Sequence, residues 1–344
     1  MKSLFERLNE LNTDEEIEPI DVPDEEKQAM KQRIRKKINQ QRRVPKIWRN
    51  IAAAAVIGVA SVMTIGFGFP TLASQIPLVS NIFSIFNEEQ DGFYTEYEEF
   101  ATDVSQAQTS NGVTIMIDRA VYDGKSVTLT YSVETEKELG PNSGVNTILD
   151  VEDASGSGGT STGLQKVEDH KYVGMVTSTP HLKSPQDTVK VTWTPQSIDN
   201  MDTMEELKGD WHFQFTLEAI TGDGQDVTQS VAGEGIEVTI DSIRFTDIST
   251  VIEYSQTVEQ SVTDQWEWVT SDLLIKDDLG NEYLTNGNGG FSENGQDYKW
   301  STTIKKIDEQ ASKLIFTPEI ILSEGSGNGH EKLKLDPMEV KLDK

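Results

Sequence analysis

The chain has 344 residues, which is long enough for two or three domains. Its formal net charge of −28 argues against a nucleic-acid binder, because phosphate contacts need basic patches. It has no cysteine and four scattered histidines, which excludes disulfides, thiol nucleophiles and the common zinc sites. We therefore expect no metal and no cofactor.

Residues 1–48 are predicted to form a short helical tail. Residues 1–26 hold ten acidic and two basic side chains, whereas residues 27–50 hold ten basic side chains and no acidic one. A tail this short buries no substantial core, so an apolar stripe on it is expected to bind a partner by helix-in-groove recognition. The alternative is a weakly ordered tail. The stripe consists of Leu4, Phe5, Leu8 and Leu11.

Residues 49–69 are predicted to form one transmembrane helix. Residues 51–69 carry no charge, and a helix of these 19 residues spans roughly 28 Å, close to a bilayer's hydrocarbon thickness. Basic side chains precede the span, so the positive-inside rule places the N-terminus in the cytoplasm and the C-terminal domains outside. The membrane-interface side chains are then Lys46, Trp48 and Arg49. The alternatives are a buried core helix and a signal peptide cleaved near Ala73.

Residues 70–98 are predicted to form a juxtamembrane linker with an amphipathic segment. Apolar side chains share one helical face there: Leu78, Val79, Ile82, Phe83 and Phe86. This face either lies on the outer membrane surface or packs under the domains that follow. The sequence leaves both possibilities open.

Beyond residue 100 the pattern changes to alternation of apolar and polar side chains, which predicts antiparallel strands with one solvent-exposed face. The segment 103–118 aligns without gaps on 226–241, and the same offset of 123 pairs Ser126 with Ser249 and Tyr131 with Tyr254. This internal repeat predicts two tandem antiparallel β-sandwich domains, residues 99–222 and 223–344. The predicted fold is therefore mainly β.

Three runs rich in glycine and serine interrupt the alternating pattern, at residues 154–163, 286–290 and 325–329. We interpret them as flexible connections, because glycine and serine favour turns and linkers over strands.

No catalytic motif is found in the chain, neither a nucleophile elbow nor a phosphate-binding loop nor a zinc-protease helix. The acidic side chains are so numerous that neighbouring pairs are expected by chance and indicate no paired acid and base. We predict that the protein is not an enzyme and has no catalytic residues.

The order of these features resembles that of Gram-positive single-pass membrane proteins with the domain of unknown function 4179. The resemblance rests on the Leu-Asn-Glu-Leu-Asn stretch at residues 8–12, a predicted basic helix at about residues 24–41, the single span, and the Ser-Asn-Gly-Val-Thr-Ile-Met-Ile-Asp run at residues 110–118. It implies an immunoglobulin-like C-terminal companion domain. Some members of such families are described as negative regulators of extracytoplasmic-function sigma factors, although this chain lacks the His/Cys zinc motif of the zinc-type ones.

Two functional hypotheses follow. In the first, the protein is a membrane-anchored anti-sigma factor that regulates transcription: the cytoplasmic tail sequesters a sigma factor and the outer domains sense envelope state. In the second, the outer domains are a cell-surface binding or structural module and the tail is only an anchor. Residues 70–344 carry a net charge of −30, so their unknown outer ligand is expected to be a cation or a protein rather than an anionic wall polymer.

Overall fold

The computed structural model describes residues 81–87, 90–292, 294–324 and 330–343, all within one compact unit that spans Ala60–Lys344. The predicted tail, the predicted span and most of the linker lie outside these residues, and so do their named side chains: Leu4, Phe5, Leu8, Leu11, Lys46, Trp48 and Arg49. Within the described ranges, no helix has the length and apolar character needed to cross a membrane.

The described residues are mainly β, which confirms the predicted fold class at this level. The described residues contain three short helices, namely α1 (Ile82–Asn87), α2 (Tyr97–Phe100) and α3 (Gln260–Thr263). The strands are β1 (Thr102–Ser110), β2 (Val113–Tyr122), β3 (Val127–Thr135), β4 (Ser143–Val151), β5 (Ser157–Ser161), β6 (Gln165–Glu168), β7 (Lys171–Pro180), β8 (Thr188–Asn200), β9 (Glu205–Lys208), β10 (Phe213–Glu218), β11 (Gly222–Gly233), β12 (Ile236–Thr246), β13 (Ser249–Val258), β14 (Trp268–Asp277), β15 (Glu282–Tyr283), β16 (Asn286–Ser292), β17 (Asp297–Lys305), β18 (Lys313–Ser323), β19 (His330–Lys334) and β20 (Met338–Lys341).

The first half of the β-structure consists of two antiparallel sheets. One has the order β1-β2-β3-β7-β5, with β6 also paired to β7, and the other has the order β10-β8-β4, with β9 paired to β8. Inward-facing side chains of both sheets form one core, in which Trp193 lies 4.9 Å from Tyr131 and 5.4 Å from Phe213 between ring centroids. The alternation on β10 is typical, because Phe213, Phe215 and Leu217 are buried while the residues between them are exposed.

The second half has the same plan. Its first sheet runs β11-β12-β13-β17-β16, and its second runs β15-β14-β18-β19 with β20 also paired to β18. A separate core joins these sheets, with Phe316, Leu314 and Ile240 fully buried. The predicted domain boundaries stay a prediction.

The repeat predicted from the sequence extends to the irregularities of the strands. The register of β1 on β2 shifts between Asp103 and Gln106, and that of β11 on β12 shifts between Asp226 and Gln229, at the predicted offset. A bulge changes the face to which every side chain beyond it points. Because both halves have the bulge at the same position, equivalent residues face inward in both.

Two of the three glycine-rich runs are strands, so their interpretation as flexible connections is wrong. Residues 157–161 form β5, which pairs with β7, and residues 286–292 form β16, which pairs with β17. Each is the edge strand of its sheet, where a strand needs only one partner. Residues 325–329 lie outside the described residues.

Candidate functional site at the junction of the two halves

A third apolar cluster lies where the two halves meet, and residues 82–97 supply most of it. The side chains of Ile82, Phe83 and Phe86 on α1 are buried together with those of Phe93, Tyr94 and Tyr97. They pack on Val121, Val173 and Met175 of the first half and on Ile248 of the second half. Of the two possibilities left open above, the described part of the amphipathic segment therefore packs under the β-structure.

The aromatic rings of this cluster contact one another directly. The ring centroid of Phe83 lies 5.5 Å from that of Tyr97, and the Tyr94 and Tyr97 rings meet edge to face at 5.1 Å. Such tilted arrangements place a positive ring edge on a negative ring face. Burial raises the pKa of Tyr94 to about 12 and that of Tyr97 well above its usual value, so both are neutral phenols.

Ion pairs tie the same segment to both halves. Arg119 of β2 pairs with Glu98 of α2 and, at 3.0 Å, with Asp103 of β1. Lys305 of β17 pairs with Asp91 at 2.8 Å between Nζ and Oδ2. The segment 81–100 is thus connected to a strand of each half by charge as well as by apolar contact.

Two turns, β2–β3 and β12–β13, meet beside this cluster. Asp123 is 2% exposed, and its Oδ1 accepts hydrogen bonds from the backbone N–H of Lys125 at 2.8 Å and of Ser126 at 2.6 Å. Its Oδ2 accepts one from the Ser249 hydroxyl of the other half at 3.4 Å. Burial raises the pKa of Asp123, although these hydrogen bonds oppose the shift.

A cavity of about 760 Å³ opens at this junction. One wall is the segment 81–100, a second is formed by β5 and β7, and a third is formed by β16 and β17. Asn288 crosses between the halves: its Nδ2 donates to the Thr303 hydroxyl at 2.8 Å, and its Oδ1 accepts from the Thr179 hydroxyl at 3.4 Å. The cavity therefore depends on the position of all three segments.

The candidate partner-binding and membrane-interface side chains fall outside the described residues. Three members of the predicted amphipathic face, Ile82, Phe83 and Phe86, belong to the cluster beside the cavity. Sequence reasoning also missed the cavity, which is built by segments that are far apart along the chain. One available signal was the offset that pairs Ser126 with Ser249, since it marks the two turns as equivalent. Among the described residues, no three His, Asp or Glu side chains are grouped closely enough to hold a metal ion.

Comparisons with known proteins agree with this architecture. Residues 43–135 match a domain of unknown function, DUF4179, and residues 225–342 match a family of unknown function, DUF5643. A crystal structure of a conserved domain protein from Bacillus anthracis has 32% sequence identity and a TM-score of 0.68, and the match covers 75% of this chain and 98% of that chain. The chain is thus a mainly β protein of the DUF4179 class in its described part. It belongs to the same family as the Bacillus anthracis protein.

A further solved structure, the Escherichia coli adhesin FdeC, has 15% identity and a TM-score of 0.21 over 67% of this chain and 65% of that chain. A likeness this weak supports no argument. No curated protein matches the chain.

Proposed function

We propose that the protein is a single-pass regulator of the cell membrane, with residues 1–48 in the cytoplasm, residues 49–69 in the bilayer and the β-structure outside. In this proposal the tail sequesters an extracytoplasmic-function sigma factor through Leu4, Phe5, Leu8 and Leu11. The outer part consists of two immunoglobulin-like sandwiches that respond to the state of the envelope. In this proposal the protein carries out no catalysis.

The observation that supports this proposal most is the position of residues 82–97 in the structure. This segment follows the proposed span after residues 70–81 and is packed into both halves through one aromatic cluster. A change in the contact between the halves therefore alters the contacts of the described segment nearest to the proposed span. Coupling of this kind requires an element with two arrangements that a ligand biases, and a cavity beside the segment offers the place for such a ligand.

The tail is tested by its effect on transcription. Deletion of residues 1–26 should raise expression from promoters of the sequestered sigma factor, and Leu8→Asp should have the same effect because it charges the apolar stripe. Asn9→Asp is the matched control, since it adds the same charge off the stripe and should leave expression unchanged. Flat expression in the deletion and in Leu8→Asp would contradict the proposal, as would a pull-down with residues 1–48 that recovers no sigma factor.

The second candidate is a cell-surface binding or structural module with a passive anchor, and the cavity at the junction favours it equally. The two candidates differ in one outcome. A passive anchor predicts that the ligand binds in the same way with or without residues 1–26, and that no promoter responds to their deletion.

A further inference from the structure

We propose that the cavity at the junction is a binding site for a neutral oligosaccharide. Its volume of about 760 Å³ lies within the range of ligand pockets and fits a chain of a few sugar rings. The ligand class follows from the charge, the polar groups and the aromatic groups of the walls. The signalling consequence of binding rests on the proposed function, whereas the binding itself does not.

The charge of the walls favours a neutral ligand. Among the described residues that line the cavity, none is a lysine, arginine or histidine, so an anionic ligand finds no cation there. Asp123 is the one acidic residue among the described lining residues, and its oxygens already accept three hydrogen bonds from the protein. It therefore offers little to a cationic ligand.

The polar groups of the walls are hydroxyls and amides, which both donate and accept hydrogen bonds as sugar hydroxyls do. The hydroxyls come from strands and connections of both halves and include those of Ser126, Thr128, Thr160, Thr177, Thr285 and Thr303. In the part of the chain that the structure describes, the hydroxyls of Thr160 and Thr285 have no protein partner, and neither residue is buried. These two groups are available to a ligand.

The remaining wall is aromatic. Phe93 and Tyr94 line the cavity from the segment 81–100, together with the hydroxyl-bearing residues. A sugar ring has an apolar C–H face and a polar rim, so a cavity lined by both aromatic rings and hydroxyls matches both of its sides. A neutral peptide added along the edges of β5 or β16 would use backbone groups instead, and the test includes it.

The test uses the full chain, purified in an amine-oxide detergent because sugar-headed detergents would compete. Binding is measured by calorimetry with maltotetraose, with the tetramer of N-acetylglucosamine, with an end-blocked tetra-alanine peptide and with the acidic trimer of sialic acid. Gly287→Trp places an indole on the cavity wall, where an added Cβ meets nothing within 4 Å. Gly144→Trp is the matched control, because its position is equally open but lies outside the cavity.

We expect at least one neutral tetrasaccharide to bind, and Gly287→Trp to weaken it by about tenfold or more, which is about 1.4 kcal/mol. The double variant Thr160→Val with Thr285→Val should weaken it as well, since it removes two free hydroxyls with little change of volume. Thr188→Val, exposed on β8, and Gly144→Trp should bind as the parent does. The proposal is overturned if no neutral sugar binds, if only the peptide or the acidic sugar binds, or if both cavity variants bind unchanged.

Failure of this inference and failure of the proposed function have different signatures. Loss of sugar binding with a transcriptional response to deletion of residues 1–26 overturns the ligand assignment alone. Sugar binding that depends on Gly287, with no such response, overturns the regulatory role and leaves a surface sugar-binding module.

Discussion

Ser126 and Ser249 occupy equivalent positions in the two halves and make equivalent hydrogen bonds. The backbone N–H of Ser126 donates to the Asp123 side chain at 2.6 Å, and that of Ser249 donates to the Thr246 side chain at 3.0 Å, three residues back in each case. The two turns then contact each other, because the Ser249 hydroxyl donates to Asp123. The junction is thus built from the same turn of each repeat, with the Asp123 carboxylate in the first turn where the second turn has the Thr246 hydroxyl.

The ion pair between Lys125 and Glu253 is predicted to stabilise this junction modestly. Lys125 Nζ lies 2.8 Å from Glu253 Oε1, with both side chains partly exposed. Burial alone raises the pKa of Glu253, but the charge and hydrogen bond of Lys125, together with Ser242 and Arg244, outweigh it and lower the pKa. Because the pKa of Glu253 is lowered in the folded protein, the stabilisation by this ion pair is fully present above the unfolded-state pKa of about 4.3. It is lost as the pH falls through the folded-state pKa.

A double-mutant cycle with Lys125→Met and Glu253→Gln should give a coupling of less than about 1 kcal/mol at pH 7, and less in high salt. Urea unfolding followed by tryptophan fluorescence measures it. The exposed pair of Lys190 and Glu152 within the first half is the matched control, because it does not cross the junction. A coupling that grows as the pH is lowered to 4 would contradict the assignment.

Phe83→Ala is predicted to release the segment 81–100 without unfolding the sheets. Phe83 is fully buried in the third cluster, and loss of its ring costs about 3–5 kcal/mol. Because this cluster is separate from the cores of both halves, the cost falls on the docking of the segment.

Limited chymotrypsin digestion measures the release of this segment. Cleavage after Phe93 or Tyr94 should become fast in Phe83→Ala, while circular dichroism of the sheets changes little. Phe100→Ala is the control, since that ring is 36% exposed and its removal should leave the digestion pattern unchanged. Equal resistance of Phe83→Ala and the parent would show that the segment is held by other contacts.

Asp118 is predicted to make stability depend on pH between about 4 and 6. Burial raises the pKa of Asp118 to about 6; Arg119 opposes the shift, and Glu98 and Asp103 add to it. The folded state then keeps a proton that the unfolded state has released, so stability falls as the pH rises through this window and is level above it.

Asp118→Asn should flatten this dependence, because the amide cannot ionise. The measurement is the urea midpoint at pH 4.5 and at pH 7, which should differ less in the variant than in the parent. Asp241→Asn is the matched control at the equivalent position of the second half, where the carboxylate accepts from Ser255 at 3.0 Å and pairs with Lys299 at 3.2 Å. A flattening in Asp241→Asn equal to that in Asp118→Asn would contradict the prediction.

Strands in which apolar and polar residues alternate, such as β10, were predictable from the sequence. So was the repeat that relates β1–β3 to β11–β13. It did not predict β5 and β16, because glycine is depleted in strands and carries no side chain to reveal a face. On β16 the missing apolar surface comes from another strand: Gly290 pairs with Trp300 of β17, whose ring occupies the space that a side chain at Gly290 would need. In the same way, the ring of Tyr131 on β3 occupies the space that a side chain at Gly174 on β7 would need.

Gly290→Val is therefore predicted to destabilise the second half, even though valine favours strands. Its Cβ would overlap the Trp300 ring, which stacks on Tyr298 at 5.6 Å between centroids, so the ring must leave its position. Displacement of this kind costs about 1–3 kcal/mol, measured as the change in the urea unfolding free energy.

Gly287→Val on the same strand is the matched control, because an added Cβ there meets nothing within 4 Å and the backbone is not left-handed. It should be neutral or slightly stabilising, since valine restricts the unfolded chain more than glycine does. Combining Gly290→Val with Trp300→Thr should cost less than the two separate changes added together, because the smaller side chain removes the overlap. Additive costs would mean that Gly290 is required for its backbone and not for the ring above it.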